Sequence, residues 1–226
     1  MASSSDYFID IVSDPSTPML GDIPHFPYNE LKTATKYWNK DNKVGEGGFG
    51  TVYKCEWKNT TIAVKKLKVR RSNKPEETLN QCQRDQLLRE LKYLNSCRHK
   101  NILPLDGICF EHPKYCLIYR YMEHGSLEKK LSRKEPSLCW EHRLHIAKGA
   151  ASGIQFLHAK EPPAIHGDIK SANILLNEHM DPVIGDFGLT REGPIEKTHI
   201  IVSRPLECVH LHMMKIRHQN NISKIL

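Results

Sequence analysis

The chain has 226 residues and a mass of 26.0 kDa, enough for one large domain or two small ones with a buried core. Its mean hydropathy is −0.53 and no apolar run approaches the roughly 18 residues of a membrane-spanning helix, so we expect no insertion into a membrane. The net charge of +7 is compatible with nucleic acid, an acidic membrane or a phosphorylated small molecule, and does not choose among them.

The amino end carries no signal for export. It lacks the basic and apolar regions of a secretory signal, and Ala2 stands where myristoylation requires Gly. Seven cysteines are scattered without a C-x-x-C pair, which argues against a disulfide framework and a four-ligand zinc site. These features predict a cytoplasmic protein.

Residues 1–27 contain four Asp, four Pro and no Lys or Arg. This composition predicts an acidic, disordered linker. The alternative is a docking or phosphorylation segment around Thr17-Pro18.

The next elements alternate between strands and helices. Residues 43–68 have β-rich runs on either side of a polar turn at 58–60, which predicts two or three antiparallel strands. Residues 76–96 predict a helix that crosses the sheet, with one apolar face formed by Leu87, Leu88, Leu91 and Leu94. Short β-like runs return over residues 101–121.

The clearest amphipathic helix is predicted over residues 140–158. Its apolar positions recur every three or four residues, at Leu144, Ala147, Ala151, Ile154 and Leu157. The order of elements predicts an α+β fold with a sheet lobe before a helical lobe.

A glycine-rich segment at residues 44–52 reads G-x-G-x-x-G-x-V. Glycines allow a strand to turn close over phosphates with no side chain between. A β-rich run follows where a dinucleotide-binding fold would need a helix, so a nucleotide-covering hairpin is favoured over a Rossmann turn. The segment alone is equally compatible with a plain hairpin loop.

Lys65 ends an apolar strand, where its ammonium could meet nucleotide phosphates if a carboxylate orients it. Glu90 is the preferred partner, because it lies in the leucine-rich part of the predicted helix that faces the sheet. Glu76 and Glu77 are the rivals.

Two further motifs follow in order. Residues 166–173 read H-x-D-x-K-x-x-N, and Asp186-Phe187-Gly188 comes thirteen residues after Asn173. Four fixed positions recur by accident in well under about 1% of chains of this length. Together with the two earlier elements, they are not a coincidence.

With these motifs the chain resembles the eukaryotic protein kinase family, from about Phe26 to Gly193. The glycine loop, Tyr119, Gly125-Ser126-Leu127 and His-Gly-Asp in place of His-Arg-Asp resemble the Pelle/interleukin-1-receptor-associated kinase branch, most closely on its Pelle side. The resemblance implies a two-lobe fold, with the lobe of strands and its hinge at 28–122 and a partial helical lobe at 123–193. It also implies cytoplasmic Toll/interleukin-1-type signalling with protein partners in signalling complexes.

The family's residue roles transfer to matching positions. Asp168 would accept the substrate hydroxyl's proton, Lys170 would neutralise the transferring phosphoryl group, and Asn173 with Asp186 would hold Mg²⁺. Lys170, two residues after Asp168, indicates a serine/threonine rather than a tyrosine kinase. The residues that would contact ATP are Val44, Gly45, Glu46, Gly47, Gly48, Phe49, Gly50, Val52, Ala63, Lys65, Tyr119, Tyr121, Met122, Leu175 and Asp186.

Gly167 replaces an arginine that pairs with an activation-loop phosphate in many kinases. The hypothesis is that chemistry survives this change while phosphate control through that arginine is absent.

Residues 194–226 contain no A-P-E or P-P-E motif and are predicted to be a divergent tail. The chain is therefore expected to be truncated, with apolar surface left exposed on the helix at 140–158. The rival function is a catalytically impaired regulatory or decoy module that still binds ATP. Cys208, His210 and His212 are favoured as tail residues over metal ligands, and the basic run at 65–74 as a solvated edge over a nucleic-acid site.

Overall fold

A computed structural model describes residues 23–68, 81–111, 113–132 and 137–193. The chain divides into two compact units, one formed by Met1–Arg98 with Leu103–Met122 and the other by His99–Ile102 with Glu123–Leu226. Strands dominate the first unit, and the longest helix lies in the second, which confirms the α+β class. Among the described residues, no helix combines the length and apolar character needed to cross a membrane.

The first unit is built on a five-stranded antiparallel sheet of order β1-β2-β3-β5-β4. The strands are β1 Lys43–Glu46, β2 Gly50–Trp57, β3 Thr60–Leu67, β4 Leu105–Glu111 and β5 Lys114–Arg120. Lys58 and Asn59 connect β2 to β3 with φ of 45° and 62°. Two left-handed residues suit the right-handed twist of a hairpin, so this tight turn sets the register of the sheet.

One face of the sheet packs into a core with helix α1, Tyr28–Ala34. Ile62 and Val64 point into this core, and Leu31 of the helix is fully buried there. Successive side chains of a strand face opposite sides, so Ala63 and Lys65 lie on the other face of the sheet. That alternation separates the core from the residues with predicted chemistry.

The predicted linker extends too far toward the first helix. Ile23 and Phe26 are buried, and the chain between them runs parallel to β4. Ile108 N–H donates to the Pro24 carbonyl at 2.9 Å, and Phe26 N–H donates to the Ile108 carbonyl at 2.8 Å. Residues 23–27 therefore belong to the folded unit, because they satisfy the outer edge of β4. Residues 1–22 lie outside the described range.

Helix α2 spans Gln81–Ser96, within the predicted 76–96. Leu87, Leu91 and Leu94 are buried and Leu88 is half-buried, which confirms the predicted apolar face. Residues 69–80, which include Glu76 and Glu77, lie outside the described residues.

In the part of the second unit that the structure describes, two α-helices combine with short strands. Helix α3 spans Leu127–Leu131 and helix α4 spans Trp140–His158. Strands β6 Gly125–Ser126, β8 Ile174–Leu176 and β9 Pro182–Ile184 form one small sheet, and β7 Ala164–Ile165 pairs with β10 Arg191–Glu192. Its core includes Leu127, Ile146, Ala150, Ile174 and Leu176.

Helix α4 has the predicted bounds but buries a different face. The buried positions are Ile146, Ala150, Gly153 and Leu157, whereas Leu144 is 41% exposed. Only Leu157 of the predicted apolar series is buried.

Close backbone approach explains the difference. A Cβ on Gly149 would lie 2.4 Å from Pro182 Cγ, and one on Gly153 would lie 2.9 Å from the Asn101 carbonyl oxygen. The helix therefore packs through its glycines, which a hydropathy pattern does not count as core positions. Trp140 and Leu144 remain exposed, as expected for the apolar surface of this helix.

Candidate functional site

The glycine-rich segment forms the hairpin between β1 and β2. Gly47 N–H donates to the Gly50 carbonyl at 2.9 Å and closes the turn. A Cβ on Gly47 or Gly48 would meet nothing within 4 Å, whereas a Cβ on Gly50 would lie 2.6 Å from the Lys66 carbonyl oxygen. Gly50 is thus needed for packing against β3, and the two central glycines leave the backbone open to an approaching ligand.

Glu46 holds the hairpin through two lysines. It pairs with Lys43 in the same strand and with Lys68 just after β3, the latter at 2.8 Å between Nζ and Oε1. Hydrogen bonds from Lys43 and then Lys68 lower the pKa of Glu46 to about 2. Lys68 Nζ also donates to the Gly47 carbonyl at 3.2 Å. Glu46 therefore acts on the shape of the hairpin through an exposed ion pair.

Lys65 is paired with Glu90 of α2, the partner that the sequence favours. The Lys65 Nζ lies 2.7 Å from Oε2 and 3.0 Å from Oε1, and the side chains are 15% and 5% exposed. The Tyr119 hydroxyl donates to Glu90 Oε1 at 2.5 Å. The carboxylate is thus fixed from two strands, and it holds the lysine ammonium in one place.

Val52, Ala63 and Tyr119, all predicted to contact ATP, share the face of the sheet that carries Lys65. Val52 pairs with Lys65 across β2 and β3, and Ala63 pairs with Tyr119 across β3 and β5. Directly paired residues of neighbouring strands point to the same side of a sheet. The strand pairing therefore assembles an apolar surface next to the ammonium.

Three other residues predicted to contact ATP are Val44, Phe49 and Tyr121. The first two are exposed, and the third already uses its backbone N–H within the protein. Val44 is 51% exposed and Phe49 is 40% exposed, both on the glycine hairpin. Tyr121, which is among the residues predicted to contact ATP, donates its backbone N–H to the Thr61 carbonyl at 3.4 Å.

In the second unit, Asp168, Lys170 and Asn173 form one cluster. Lys170 Nζ lies 2.7 Å from Asp168 Oδ2, and Asn173 Nδ2 donates to the same oxygen at 2.9 Å. Asn173 Nδ2 also donates to the Asp168 backbone carbonyl at 2.9 Å. Both amide hydrogens of Asn173 therefore point to Asp168, and Oδ1 is its remaining ligand atom.

Asp186 is tied to this cluster through the backbone. Gly185 N–H donates to the Asn173 carbonyl at 2.9 Å, and Asp186 itself has φ +64°, the left-handed region. A non-glycine residue persists there only when its surroundings hold it. An amide oxygen and a carboxylate are hard oxygen donors, so Asn173 and Asp186 fit Mg²⁺ by the chemistry of their donor atoms.

His166 is a positioning residue that the sequence analysis did not select. It is 3% exposed, and its Nδ1 accepts from Asp168 N–H at 3.3 Å. The opposite nitrogen, Nε2, must therefore carry the proton and donate to the Gly185 carbonyl at 3.1 Å. Burial lowers the pKa of His166, which favours this neutral form. The position of His166 in the motif H-x-D was the signal available for it.

Leu175 lies on β8, in register with Val183 of β9. Its neighbours Ile174 and Leu176 are buried in the core of the second unit, whereas Leu175 is half-buried on the opposite side of the strand. In the second unit the structure thus brings together the predicted catalytic and metal-binding residues, with Leu175 close by along the chain. Cys208, His210 and His212 lie outside the described residues.

Comparison with known proteins identifies the family of this arrangement. The family model described as protein tyrosine and serine/threonine kinase matches residues 38–208. The match continues past Gly193, so residues 194–208 fall within it rather than in the predicted divergent tail.

Named relatives belong to the expected branch. The chain is 47% identical to serine/threonine-protein kinase pelle of Drosophila melanogaster over 173 residues, which cover 74% of this chain and 34% of that protein. It is 43% identical to the Pelle-like serine/threonine-protein kinase pik-1 of Caenorhabditis elegans over 189 residues, covering 81% and 38%. Identity to interleukin-1 receptor-associated kinase 1 of Mus musculus is 42% over 170 residues, covering 74% and 23%. The matched region thus spans well under half the length of each of these relatives.

Proposed function

This chain belongs to the protein kinase family, in the Pelle and interleukin-1-receptor-associated kinase branch, and from that premise we propose that it is a serine/threonine kinase that transfers the γ-phosphoryl group of ATP to a protein hydroxyl. The observation that carries this proposal is the cluster in which Lys170 and Asn173 both bind Asp168 Oδ2.

Asp168 orients the substrate hydroxyl and accepts its proton. Two donors on Oδ2 hold the carboxylate in one rotamer and leave Oδ1 for the incoming hydroxyl. Lys170 is 43% exposed at its side chain, so its ammonium can also reach an anionic group outside the cluster. Negative charge that develops on the transferring group is stabilised by this cation.

Mg²⁺, when bound, neutralises charge on the phosphates. Asn173 through Oδ1 and Asp186 through its carboxylate would hold the metal, since both offer the oxygen ligands it prefers. The hydrogen bond from Gly185 N–H to the Asn173 carbonyl holds the backbone next to Asp186 against the backbone of Asn173. The protein's contribution here is therefore orientation rather than chemistry.

In the first unit, Lys65 and the glycine hairpin bind the nucleotide. Glu90 holds the Lys65 ammonium toward the face that also carries Val52 and Ala63, where the α and β phosphates and the adenine would lie. Gly47 and Gly48 allow the hairpin backbone to approach the phosphates, since no other atom occupies the space beside them.

The names of the relatives support a proposal for the substrate and the pathway. Serine and threonine are the proposed acceptors, because the named relatives are serine/threonine-protein kinases. One relative is named as associated with the interleukin-1 receptor, so we place this chain in Toll/interleukin-1-type signalling in the cytoplasm, with partners in receptor-proximal complexes.

Two measurements on the full chain test the function. Mg-ATP at a hundred times its dissociation constant is expected to stabilise the folded protein by about 2.7 kcal/mol. Transfer of labelled phosphate to a generic Ser/Thr protein substrate is expected, and Asp168→Asn should reduce it by about 10²- to 10⁴-fold with little change in melting temperature.

The matched control is Asp181→Asn. Asp181 is a half-buried aspartate of the same unit, and its carboxylate bonds His145 and Asn177 rather than the catalytic cluster. This variant should leave transfer unchanged. Stabilisation by Mg-ATP without any transfer would reject the kinase activity and favour the regulatory or decoy module.

A further inference from the structure

Lys68 lies directly after β3, at the end of the sheet that carries the glycine hairpin. Gly50 pairs with Leu67 where β2 and β3 meet at this end. One position further on, Lys68 N–H donates to the Phe49 carbonyl at 3.0 Å. The backbone of Lys68 therefore continues the sheet pairing into the tip of the hairpin.

The side chain of Lys68 bonds the same hairpin a second time. Its Nζ lies 2.8 Å from Glu46 Oε1 and donates to the Gly47 carbonyl at 3.2 Å. The C=O and N–H groups of a trans peptide point in opposite directions, so a lysine on the Gly47 carbonyl directs the Gly48 N–H away from itself. A Cβ on Gly48 would meet nothing within 4 Å, so a ligand has room to approach this peptide. Lys68 thus orients the peptide between two glycines that were predicted to contact ATP.

The backbone carbonyl of Lys68 joins a third element, helix α2. Gln83 of α2 is 8% exposed, and its Nε2 donates to the Lys68 carbonyl at 2.6 Å. Gln83 precedes Glu90 by about two helical turns, so the two side chains leave α2 on the same face. Lys65, the partner of Glu90, lies one short step before Lys68 along the chain. Two neighbouring contacts therefore fix α2 against the end of β3.

Lys68 connects the end of β3, the glycine hairpin and helix α2. Its side chain is 45% exposed and that of Glu46 is 44% exposed. Ion pairs this exposed contribute little to stability, so the contact should act on the shape of the hairpin more than on the fold. A shift of α2 would carry the Lys68 carbonyl with it through Gln83, and the hairpin would follow because it is bonded to the same residue.

We propose that Lys68 is a positioning residue for nucleotide binding, which fixes the shape of the glycine hairpin and couples it to the placement of helix α2. This inference deepens the proposed kinase function and rests on it for its nucleotide part. Lys68 acts through the Gly47 peptide on one side. On the other side it acts through Gln83, on the helix that also carries Glu90.

The test compares four single variants with the parent in the full chain. Lys68→Met removes the ammonium and keeps most of the aliphatic stem. Lys68→Arg keeps a cation that can bond both Glu46 and the Gly47 carbonyl. Gln83→Met removes the donor to the Lys68 carbonyl. Lys43→Gln is the matched control, because it removes an equal charge and the other partner of Glu46 but neither bond to Gly47 nor the bond from Gln83.

The first readout needs no nucleotide. It is hydrogen exchange at the Gly47 amide, which donates to the Gly50 carbonyl and closes the hairpin. Exchange should be about fivefold faster in Lys68→Met and in Gln83→Met, and within about twofold of the parent in Lys68→Arg and Lys43→Gln. The parental rate in Lys68→Met or in Gln83→Met would overturn the proposal. So would an equal acceleration in Lys43→Gln.

The second readout is the dissociation constant of Mg-ADP, measured by calorimetry. It should rise by about five- to tenfold in Lys68→Met and in Gln83→Met, and stay within about twofold of the parent in Lys43→Gln. The KM for ATP should rise by the same factor while kcat stays within about twofold, because Lys68 acts on binding rather than on the reacting atoms. A lower kcat with an unchanged KM would indicate only a loss of folded protein and would contradict the positioning role.

A double variant distinguishes coupling from two independent bonds. Lys68→Met with Gln83→Met should weaken Mg-ADP binding by no more than about twofold beyond the stronger single variant, because both changes release the same residue. Multiplication of the two single effects would reject the coupling to α2. If the parent binds no Mg-ADP, the nucleotide function fails, and exchange at the Gly47 amide alone decides whether Lys68 holds the hairpin.

Discussion

The two charged clusters of this protein are built in different ways. In the first unit, Glu90 of helix α2 meets Lys65 of β3 and Tyr119 of β5. These two partners lie 25 and 29 residues from Glu90 along the chain. In the second unit, Asp168, Lys170 and Asn173 lie within five residues of one another. Long-range packing positions the first cluster, and a local loop positions the second.

The difference extends to burial. The Glu90 side chain is 5% exposed and that of Lys65 is 15% exposed, whereas the figures for Asp168 and Lys170 are 26% and 43%. Removing one partner of a buried ion pair lowers the stability of the whole fold strongly. Removing one partner of a half-exposed ion pair changes stability little. Substitutions in the first cluster should therefore reduce both transfer and stability, whereas substitutions in the second should reduce transfer with little change in stability.

The largest expected effect comes from Glu90→Ala. It leaves the Lys65 ammonium, whose side chain is only 15% exposed, without the Glu90 carboxylate, and we expect the free energy of unfolding to fall by about 3–5 kcal/mol, measured by urea denaturation. Asp168→Ala, the counterpart in the second cluster, should cost less than about 1 kcal/mol.

A double variant sharpens this contrast. Lys65→Met with Glu90→Leu removes both buried charges, so most of the lost stability should return while transfer stays abolished. Failure to regain stability would mean that the ion pair is not what makes the first cluster costly to disturb.

A smaller loss is expected from Tyr119→Phe. The hydroxyl bonds a buried carboxylate at 2.5 Å, and hydrogen bonds to charged groups contribute about 1.5–3 kcal/mol. The melting temperature should fall and the apparent affinity for ATP should weaken, because Glu90 loses one of its two anchors. Tyr37→Phe, at a tyrosine that is 72% exposed, is the control and should change neither.

Gly149→Ala tests whether helix α4 packs in the second unit through its glycines. The added Cβ would lie 2.4 Å from Pro182 Cγ, so the variant should destabilise the protein by about 1–3 kcal/mol although alanine favours helices. Leu144→Ala, in the same helix, should change stability by no more than about 0.5 kcal/mol. A larger loss of stability in Leu144→Ala than in Gly149→Ala, measured by urea denaturation, would mean that α4 packs through the apolar face expected from hydropathy.

The smallest effect concerns Glu46. Its pKa is lowered to about 2 by Lys43 and Lys68, so its contribution to stability is present above the ordinary pKa of 4.5 and is lost as pH falls from there toward 2. Denaturation midpoints measured between pH 6 and 3 should fall more for the parent than for Glu46→Gln. High salt should reduce the difference, since the pair is exposed.

Much of the fold could be predicted from local patterns. The tight turn at Lys58-Asn59, the alternation of Ile62 and Val64 with Ala63 and Lys65, and the bounds of helix α4 all depend on neighbours along the chain. The buried face of α4 could not be predicted in this way. It depends on Gly149 and Gly153 lying against Pro182 and Asn101, which are distant in sequence.

The same division holds for the candidate site. The motif at 166–173 sets Asp168, Lys170 and Asn173 close together, because a short loop cannot separate them far. The preference for Glu90 as the partner of Lys65 came from helical periodicity, and the ion pair joins α2 to strand β3 in the structure. The Tyr119 hydroxyl on Glu90 had no comparable signal in the spacing, and the H-x-D motif indicated His166 but not its bond to Gly185.

By itself the sequence determined which residue types carry the chemistry and in what order, since periodicity and motif spacing act over a few residues. Tertiary structure decided where remote segments approach each other: residues 24–26 beside β4, the Pro182 ring against Gly149, and the Leu189 carbonyl near Gly167. Such contacts depend on the absence of a side chain and on distances between remote segments. A pattern of residue types along one chain contains neither quantity.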